Sequence, residues 1–219
     1  GDGSGSNGAV RVAGTIGDDV GPPSERAAPF PPHQVITLLR EFLPSSSIVT
    51  ADAGENRLFM MRWFRSQRPG GYLQPAAGGG MGHAVPSALG AKLLHRDTPV
   101  VAVCGDGGFA MAMHGLMTAV EQDLPIGVVV LNNQALGWVL HGMGRKVVAA
   151  NFAPFDHAEI ARSMGCEGFR PTTRSELEEA LGRLGKLERP TVIDVPTNLE
   201  TTFRDLLDPI DKRRAESGY

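Results

Sequence analysis

Cysteine is scarce in this chain, with only Cys104 and Cys166 in 219 residues. Two isolated thiols make neither a paired metal-ligand spacing nor a disulfide framework, which excludes a zinc-ribbon or disulfide-stapled scaffold. Both sit among apolar residues, which predicts buried free thiols. An excess of charge is missing too. Lys and Arg number 21 against 24 Asp and Glu, for a net charge of −3 and a pI near 6.1. Without a basic field the sequence argues against a nucleic-acid partner. No apolar run approaches the roughly 18 residues of a membrane span, and no secretory signal pattern is visible. The expectation is a soluble, cytoplasmic protein with no membrane partner.

The chain does contain 42% hydrophobic and 21% charged residues, an ordinary globular balance. A chain of 219 residues suits one domain with a substantial core. Residues 1–31 are rich in Gly, Ser, Asp and Pro, and read as a flexible linker or the tail of an upstream domain. Residues 32–200 carry the periodic segments, and 201–219 read as a peripheral, charged C-terminal tail. Pro31-Pro32 opens a helix with Val35, Ile36, Leu39 and Phe42 on one side. Ser47 to Thr50 starts a first strand that ends at Asp52-Ala53-Gly54-Glu55-Asn56, and a helix through Leu58, Met61 and Trp63 follows. Gly78-Gly79-Gly80-Met81-Gly82 leads into a helix through Ala84, Val85, Ala88, Leu89 and Ala91. The dinucleotide-binding G-x-G-x-x-G spacing fails at His83. Further on, Asp156 or a neighbour, with Glu159 at capping-box spacing, predicts a helix start, as does either Thr173 with Glu176 or Ser175 with Glu178. Phe169 marks a strand, and Thr191 to Val195 a last buried one.

The stretch Val100 to Gly137 organises the rest. An apolar run from Pro99 to Cys104 ends in Gly105-Asp106-Gly107-Gly108. A helical segment runs from Phe109 to Gln122, and a second apolar run from Ile126 to Leu131 stops at Asn132-Asn133. Two short apolar runs joined by a helix make a βαβ unit with parallel, buried strands. The fold class expected is therefore α/β, a doubly wound, mostly parallel sheet flanked by helices. Asp106 and Asn133 then emerge at the same C-terminal edge, where open parallel sheets bind ligands. A carboxylate and an amide oxygen suit Mg²⁺, which takes oxygen ligands and shares them with phosphates. Gly107 and Gly108 let backbone N–H groups approach an anion closely. A divalent metal with a diphosphate is the chemistry these residues suggest. The helix from Phe109 is apolar almost all round, so a second surface is expected to cover it; His114 within it reads as a packed structural histidine.

GDG at 105–107, then residues 108–131, then NN at 132–133 resembles the signature of thiamine-diphosphate enzymes of the acetolactate synthase and pyruvate decarboxylase type. The wording NNQALGWV at 132–139 and GGGMGHAVPSALGAKL at 78–93 is similar to the acetolactate synthase branch. The resemblance covers about residues 32–198 and corresponds to the C-terminal, diphosphate-binding domain of those enzymes. It implies the cofactors thiamine diphosphate and Mg²⁺, and a 2-oxo acid substrate undergoing decarboxylation or carboligation. Cofactor contacts would come from Asn56, Gly80, Met81, Gly105, Asp106, Gly107, Gly108, Asn133, Ala135, Leu136 and Gly137. The metal would take Asp106, Asn133 and the backbone carbonyl of Ala135. The catalytic positions would be Met81, a wedge that keeps the cofactor bent, and His141. For His141 two readings stand: a proton-handling residue or a solvated loop histidine.

Two positions depart from the pattern. Glu55 places a carboxylate where the family carries a neutral donor near the diphosphate, and reads either as a group that turns away or finds a cation, or as a solvated helix-start residue. Gly142 stands where acetolactate synthases carry a specificity tryptophan, which implies a roomier or differently shaped pocket. The family's catalytic glutamate comes from a different domain with no counterpart in residues 1–219. The chain is thus expected to be half an active site, as a fragment or one subunit, completed by a second domain or subunit in a homo- or hetero-oligomer. The alternatives are a simple 2-oxo acid decarboxylase subunit, a non-catalytic Mg-diphosphate binding module, and an unrelated nucleotide-binding α/β domain.

Overall fold

The computed structural model describes residues 27–143 and 147–206. The elements run in the order α1 (Pro32–Phe42), β1 (Ile48–Ala51), α2 (Glu55–Trp63), β2 (Tyr72–Leu73), α3 (Ala84–Leu94), β3 (Val100–Gly105), α4 (Asp106–Ala112), α5 (Gly115–Glu121), β4 (Gly127–Asn132), α6 (Gly137–Gly142), α7 (His157–Ser163), β5 (Glu167–Phe169), α8 (Arg174–Arg183) and β6 (Thr191–Pro196). The six strands form one sheet in the order β2-β1-β3-β4-β6-β5, and every pairing is parallel. The expected doubly wound α/β fold is what the chain adopts.

Strand alternation sends neighbouring residues to opposite faces, and both faces are covered. Val101 and Val103 of β3 join Val129 and Leu131 of β4 in a core roofed by α1, α2 and α8. Val100, Ala102 and Cys104 join Val128 and Val130 in a second core under α3, α4, α5 and α7. This double burial is why the central strands read as continuous Val-rich runs. The two cysteines are buried and unpaired, as expected. Burial pushes the Cys104 thiol well up and that of Cys166 to about 11, so neither provides a thiolate near neutral pH.

The helix expected over 109–122 is two helices. Helix α4 starts at Asp106 and α5 at Gly115, with a break at Met113 and His114. Phe109, Ala112, Leu116 and Ala119 are buried, while Met111 and Met117 are more than half exposed within this chain. His114 is exposed within this chain and does not pack against its sheet. The apolar count there could not show which side faces the sheet. Of the two candidate starts for α8, the structure uses Thr173, which forms a full capping box with Glu176. Asp156 caps α7, accepting the Glu159 N–H at 2.8 Å.

Most of the segment expected to be a linker, residues 1–26, lies outside the described residues. Its last part is docked: Phe30 is buried, donates its N–H to Pro196 O at 2.8 Å and bridges Thr197. At the other end, residues 201–206 of the expected tail pack against α2 and α6, while 207–219 lie outside the described residues. Among the described residues no helix is long and apolar enough to cross a membrane.

One buried charge secures the β5–β6 side. Asp194 accepts from Asn132 Nδ2 at 2.9 Å and from the His157 N–H at 3.0 Å, and pairs with Arg170. Burial pushes its carboxyl up, but the hydrogen bonds of His157 and Asn132 and the His157 charge outweigh it. The net pKa lies below the ordinary value. A carboxyl depressed in this way stabilises the fold above the unfolded value of about 4 and loses that contribution as pH falls through the folded value. Asp194→Asn is therefore expected to cost about 2–4 kcal/mol at neutral pH. In thermal melts from pH 7 to pH 3 the gap to the parent should narrow below about pH 4. A gap constant with pH would contradict this account.

Candidate functional site

The sheet reverses its winding between β1 and β3. From β1 the chain passes outward to β2, and from β3 it passes the other way to β4. Ligands of open parallel sheets bind outside the C-terminal ends of strands at such a switch point. A cleft opens there, walled by Gly54, Glu55 and Asn56 after β1, Gly105 to Gly108 after β3, and Asn133, Ala135, Leu136 and Gly137 after β4. Met81 and Trp138 flank it, and Pro32, Phe59, Leu131 and Thr197 complete its floor. Of the expected site residues, all but Gly80 and His141 line this one cleft.

Asp106 and Asn133 converge within it. Asp106 Oδ1 accepts the Gly107 N–H at 2.7 Å, and Asp106 Oδ2 accepts the Ala135 N–H at 3.2 Å. Asn133 Oδ1 accepts that same Ala135 N–H at 3.1 Å. Two side-chain oxygens from two strand ends therefore meet at one backbone amide. Burial pushes the Asp106 carboxyl up, against the pull of the Gly107, Gln134 and Ala135 N–H groups, and the net pKa lies above the ordinary carboxylate value. The neighbouring Asn132 faces the other way, into the Asp194 cluster, so only the second asparagine of the pair serves the cleft. Gln134, at φ +58°, makes the turn between them.

The glycine-rich loop is held by a residue that sequence reasoning missed. Asp52 is fully buried and accepts N–H groups from Ala53 at 2.7 Å, Gly82 at 2.9 Å and Ala84 at 3.3 Å. It thereby fixes both the exit of β1 and the entry of α3. A Cβ on Gly108 would stand 2.9 Å from Asp52 Oδ2, so the glycine allows α4 to approach that carboxylate. The available signal was a lone acid directly at a strand end. The same loop places Met81 over the cleft: its Cε lies 3.0 Å from where a Cβ on Gly107 would stand.

Asn56 is in the cleft wall, but its Nδ2 donates to Asp52 O at 3.2 Å and Val103 O at 3.4 Å. Its amide donor therefore serves the main chain. Gly80 sits outside the cleft lining, with open space around it. Glu55 is not solvated: it is 5% exposed, and its Oε1 lies 2.7 Å from His141 Nδ1. His141 is likewise no free loop residue, since it sits on α6 with a largely buried side chain. A Cβ on Gly142 would meet nothing within 4 Å.

The family model for the thiamine pyrophosphate enzyme C-terminal TPP-binding domain matches residues 52–195. The chain belongs to the thiamine pyrophosphate enzyme family. The match runs from the loop-holding Asp52 to the last residues of β6, and so contains most of the cleft. Acetolactate synthase of Bacillus subtilis is 31% identical over 196 residues, which covers 88% of this chain and 34% of that protein. A protein of the same organism described as thiamine pyrophosphate-containing is 33% identical over 175 residues, covering 78% of the chain and 30% of its own length. The X-ray structure of a Mycobacterium smegmatis protein assigned to the thiamin diphosphate-dependent enzymes superposes with a TM-score of 0.71 at 28% identity, covering 80% of this chain and 33% of that one. The chain thus spans about a third of the length of these relatives. As a member of this family the chain is a thiamine pyrophosphate-binding domain of the kind found in acetolactate synthase-like enzymes.

Proposed function

We propose that this chain supplies the diphosphate- and Mg²⁺-binding half of the active site of an acetolactate synthase-like 2-oxo acid decarboxylase or carboligase. The observation that carries the reading is the convergence of Asp106 Oδ2 and Asn133 Oδ1 on the Ala135 amide at the switch point. Their chemistry fits a hard cation. One carboxylate, one amide oxygen and a neighbouring backbone carbonyl are oxygen donors of the type Mg²⁺ takes while keeping sites for phosphate. Among the described residues no group of three or more His, Cys, Asp or Glu side chains could hold a metal, which argues against a zinc-type centre.

When bound, thiamine diphosphate supplies a nucleophilic ring carbon and an electron sink for the loss of CO₂ from a 2-oxo acid. The chain's own residues do the holding. Gly105 leaves the end of β3 open to a diphosphate, while Gly107 makes room for Leu136 and Met81 and Gly108 for the Asp52 carboxylate. Asp106, Asn133 and the Ala135 carbonyl would hold Mg²⁺, and Met81 and Leu136 both press on the cleft at Gly107. The catalytic glutamate is assigned to a second domain or subunit. This fits a chain about a third as long as its relatives, and it fits the exposed Met111 beside the glycine-rich loop and the exposed Met117 on α5. A simple decarboxylase is the second reading, favoured by the open space at Gly142.

Calorimetric titration with thiamine diphosphate in Mg²⁺ and again in EDTA tests the assignment. Binding that needs the metal supports it, and binding indifferent to EDTA overturns it. For Met81→Ala, affinity is expected to stay within about threefold while turnover of the assembled enzyme falls by about 10–100-fold, because the side chain shapes the bound conformation. An equal loss in both would assign Met81 to binding alone.

A further inference from the structure

The cleft contains a negative charge that a diphosphate does not call for. Glu55, at the start of α2, is buried in its wall. Its Oε1 takes a hydrogen bond from His141 Nδ1 at 2.7 Å and another from the Phe203 N–H at 2.8 Å. Its Oε2 is buried without a partner, 2.5 Å from where a Cβ on Gly137 would stand. One carboxylate therefore joins three segments remote in sequence: the β1–α2 turn, α6, and the C-terminal stretch 201–206. Two contacts reinforce the junction. The Trp138 and Phe203 rings stack with centroids 5.1 Å apart and planes 12° from parallel, and Arg204 Nη2 donates to His141 O at 3.2 Å. Trp138 and Val139 of α6 line the cleft, so where α6 sits decides the shape of its mouth.

We propose that Glu55 is a positioning residue, a latch by which His141 and the Phe203 backbone hold α6 at the cleft with residues 201–206 packed against it, and that the latch and a bound diphosphate strengthen each other. The inference rests on the reading of the cleft as a diphosphate seat. A carboxylate and a diphosphate within one poorly solvated cleft repel. The hydrogen bonds from His141 and Phe203 take up part of the carboxylate's charge, so an incoming anion meets a weaker opposing field when the latch is closed. An occupant that prefers the closed arrangement must in turn favour it, to the same extent. Gly137 is part of the device, since any side chain there would strike the Glu55 carboxylate.

The test uses the full chain carrying Trp63→Phe, which leaves Trp138 as its single indole. Acrylamide quenching of Trp138 reads the latch, and calorimetry with thiamine diphosphate in Mg²⁺ reads the cleft. His141→Ala is expected to raise the quenching and to weaken thiamine diphosphate binding about tenfold, because it strands the Glu55 charge. His141→Gln, which keeps a neutral donor, should fall between. Glu55→Gln added to His141→Ala should return the affinity to within about threefold of the parent, a rescue that loss of loop structure alone would not give. Adding Mg²⁺ and thiamine diphosphate to the parent should lower the quenching. Unchanged quenching in His141→Ala, or a double variant binding no tighter than His141→Ala, overturns the latch. A parent that binds no thiamine diphosphate overturns the reading of the cleft and the coupling with it. Normal binding by both the parent and His141→Ala removes the latch alone.

Discussion

Asp106→Ala is expected to abolish Mg²⁺-dependent binding of thiamine diphosphate, with a loss of at least about 100-fold in affinity, or about 2.7 kcal/mol. Asp106 provides the one charged oxygen where the β3 and β4 ends converge, and the amide of Asn133 and a carbonyl do not replace its charge. Calorimetry with and without EDTA reads the effect, and equal binding by variant and parent would remove the metal assignment. The same carboxylate is a burden to the metal-free protein. A carboxyl whose pKa is raised on folding binds its proton more tightly in the folded state, so stability falls as pH rises from the ordinary value through the folded one. Asp106→Asn, whose one oxygen keeps the Gly107 N–H while Asn133 Oδ1 still accepts from Ala135, should therefore melt close to the parent in EDTA at neutral pH. Binding would be lost while stability is kept, which separates a functional residue from a structural one.

Asp52→Ala is expected to do the reverse and damage the fold first, by about 3 kcal/mol or more. Three backbone N–H groups, on Ala53, Gly82 and Ala84, would lose their shared buried acceptor. The glycine loop and the first turn of α3 would be released, and Met81 with them. Thermal melts read the stability, and faster hydrogen exchange at Gly82 and Ala84 would locate the loss. Gly108→Ala presses on the same carboxylate from α4 and should cost about 1–3 kcal/mol in the same direction. An Asp52→Ala protein that melts with the parent would show that the loop is held by something else.

The two strand ends bearing Asp106 and Asn133 were legible in the sequence because parallel strands buried on both faces are written as short, continuous Val-rich runs. The polar residue that ends such a run must emerge at the sheet edge. Glycines after β3 were legible as points of close approach, but the groups that approach Gly107 and Gly108 in the structure are Leu136, Met81 and the Asp52 carboxylate. The break at Met113 and His114 was not legible. A run that is apolar on every side has no phase, so periodicity cannot place the side that meets the sheet or the point where the helix bends. Asp52 was passed over because its partners, Gly82 and Ala84, lie 30 and 32 residues away, and only folding brings that loop to the strand end.

The sequence by itself determined the fold class, the strands that build the central sheet and the edge at which Asp106 and Asn133 emerge, because each follows from local hydrophobic period and from what ends it. Only the tertiary structure decided the fate of the charges at that edge. It turned Asn132 away to Asp194, spent the Asn56 amide on the main chain, and joined Glu55 to His141 and Phe203. A charge's role depends on which partners share its low-dielectric surroundings. For Glu55 those partners lie 86 and 148 residues along the chain, beyond the reach of any local pattern.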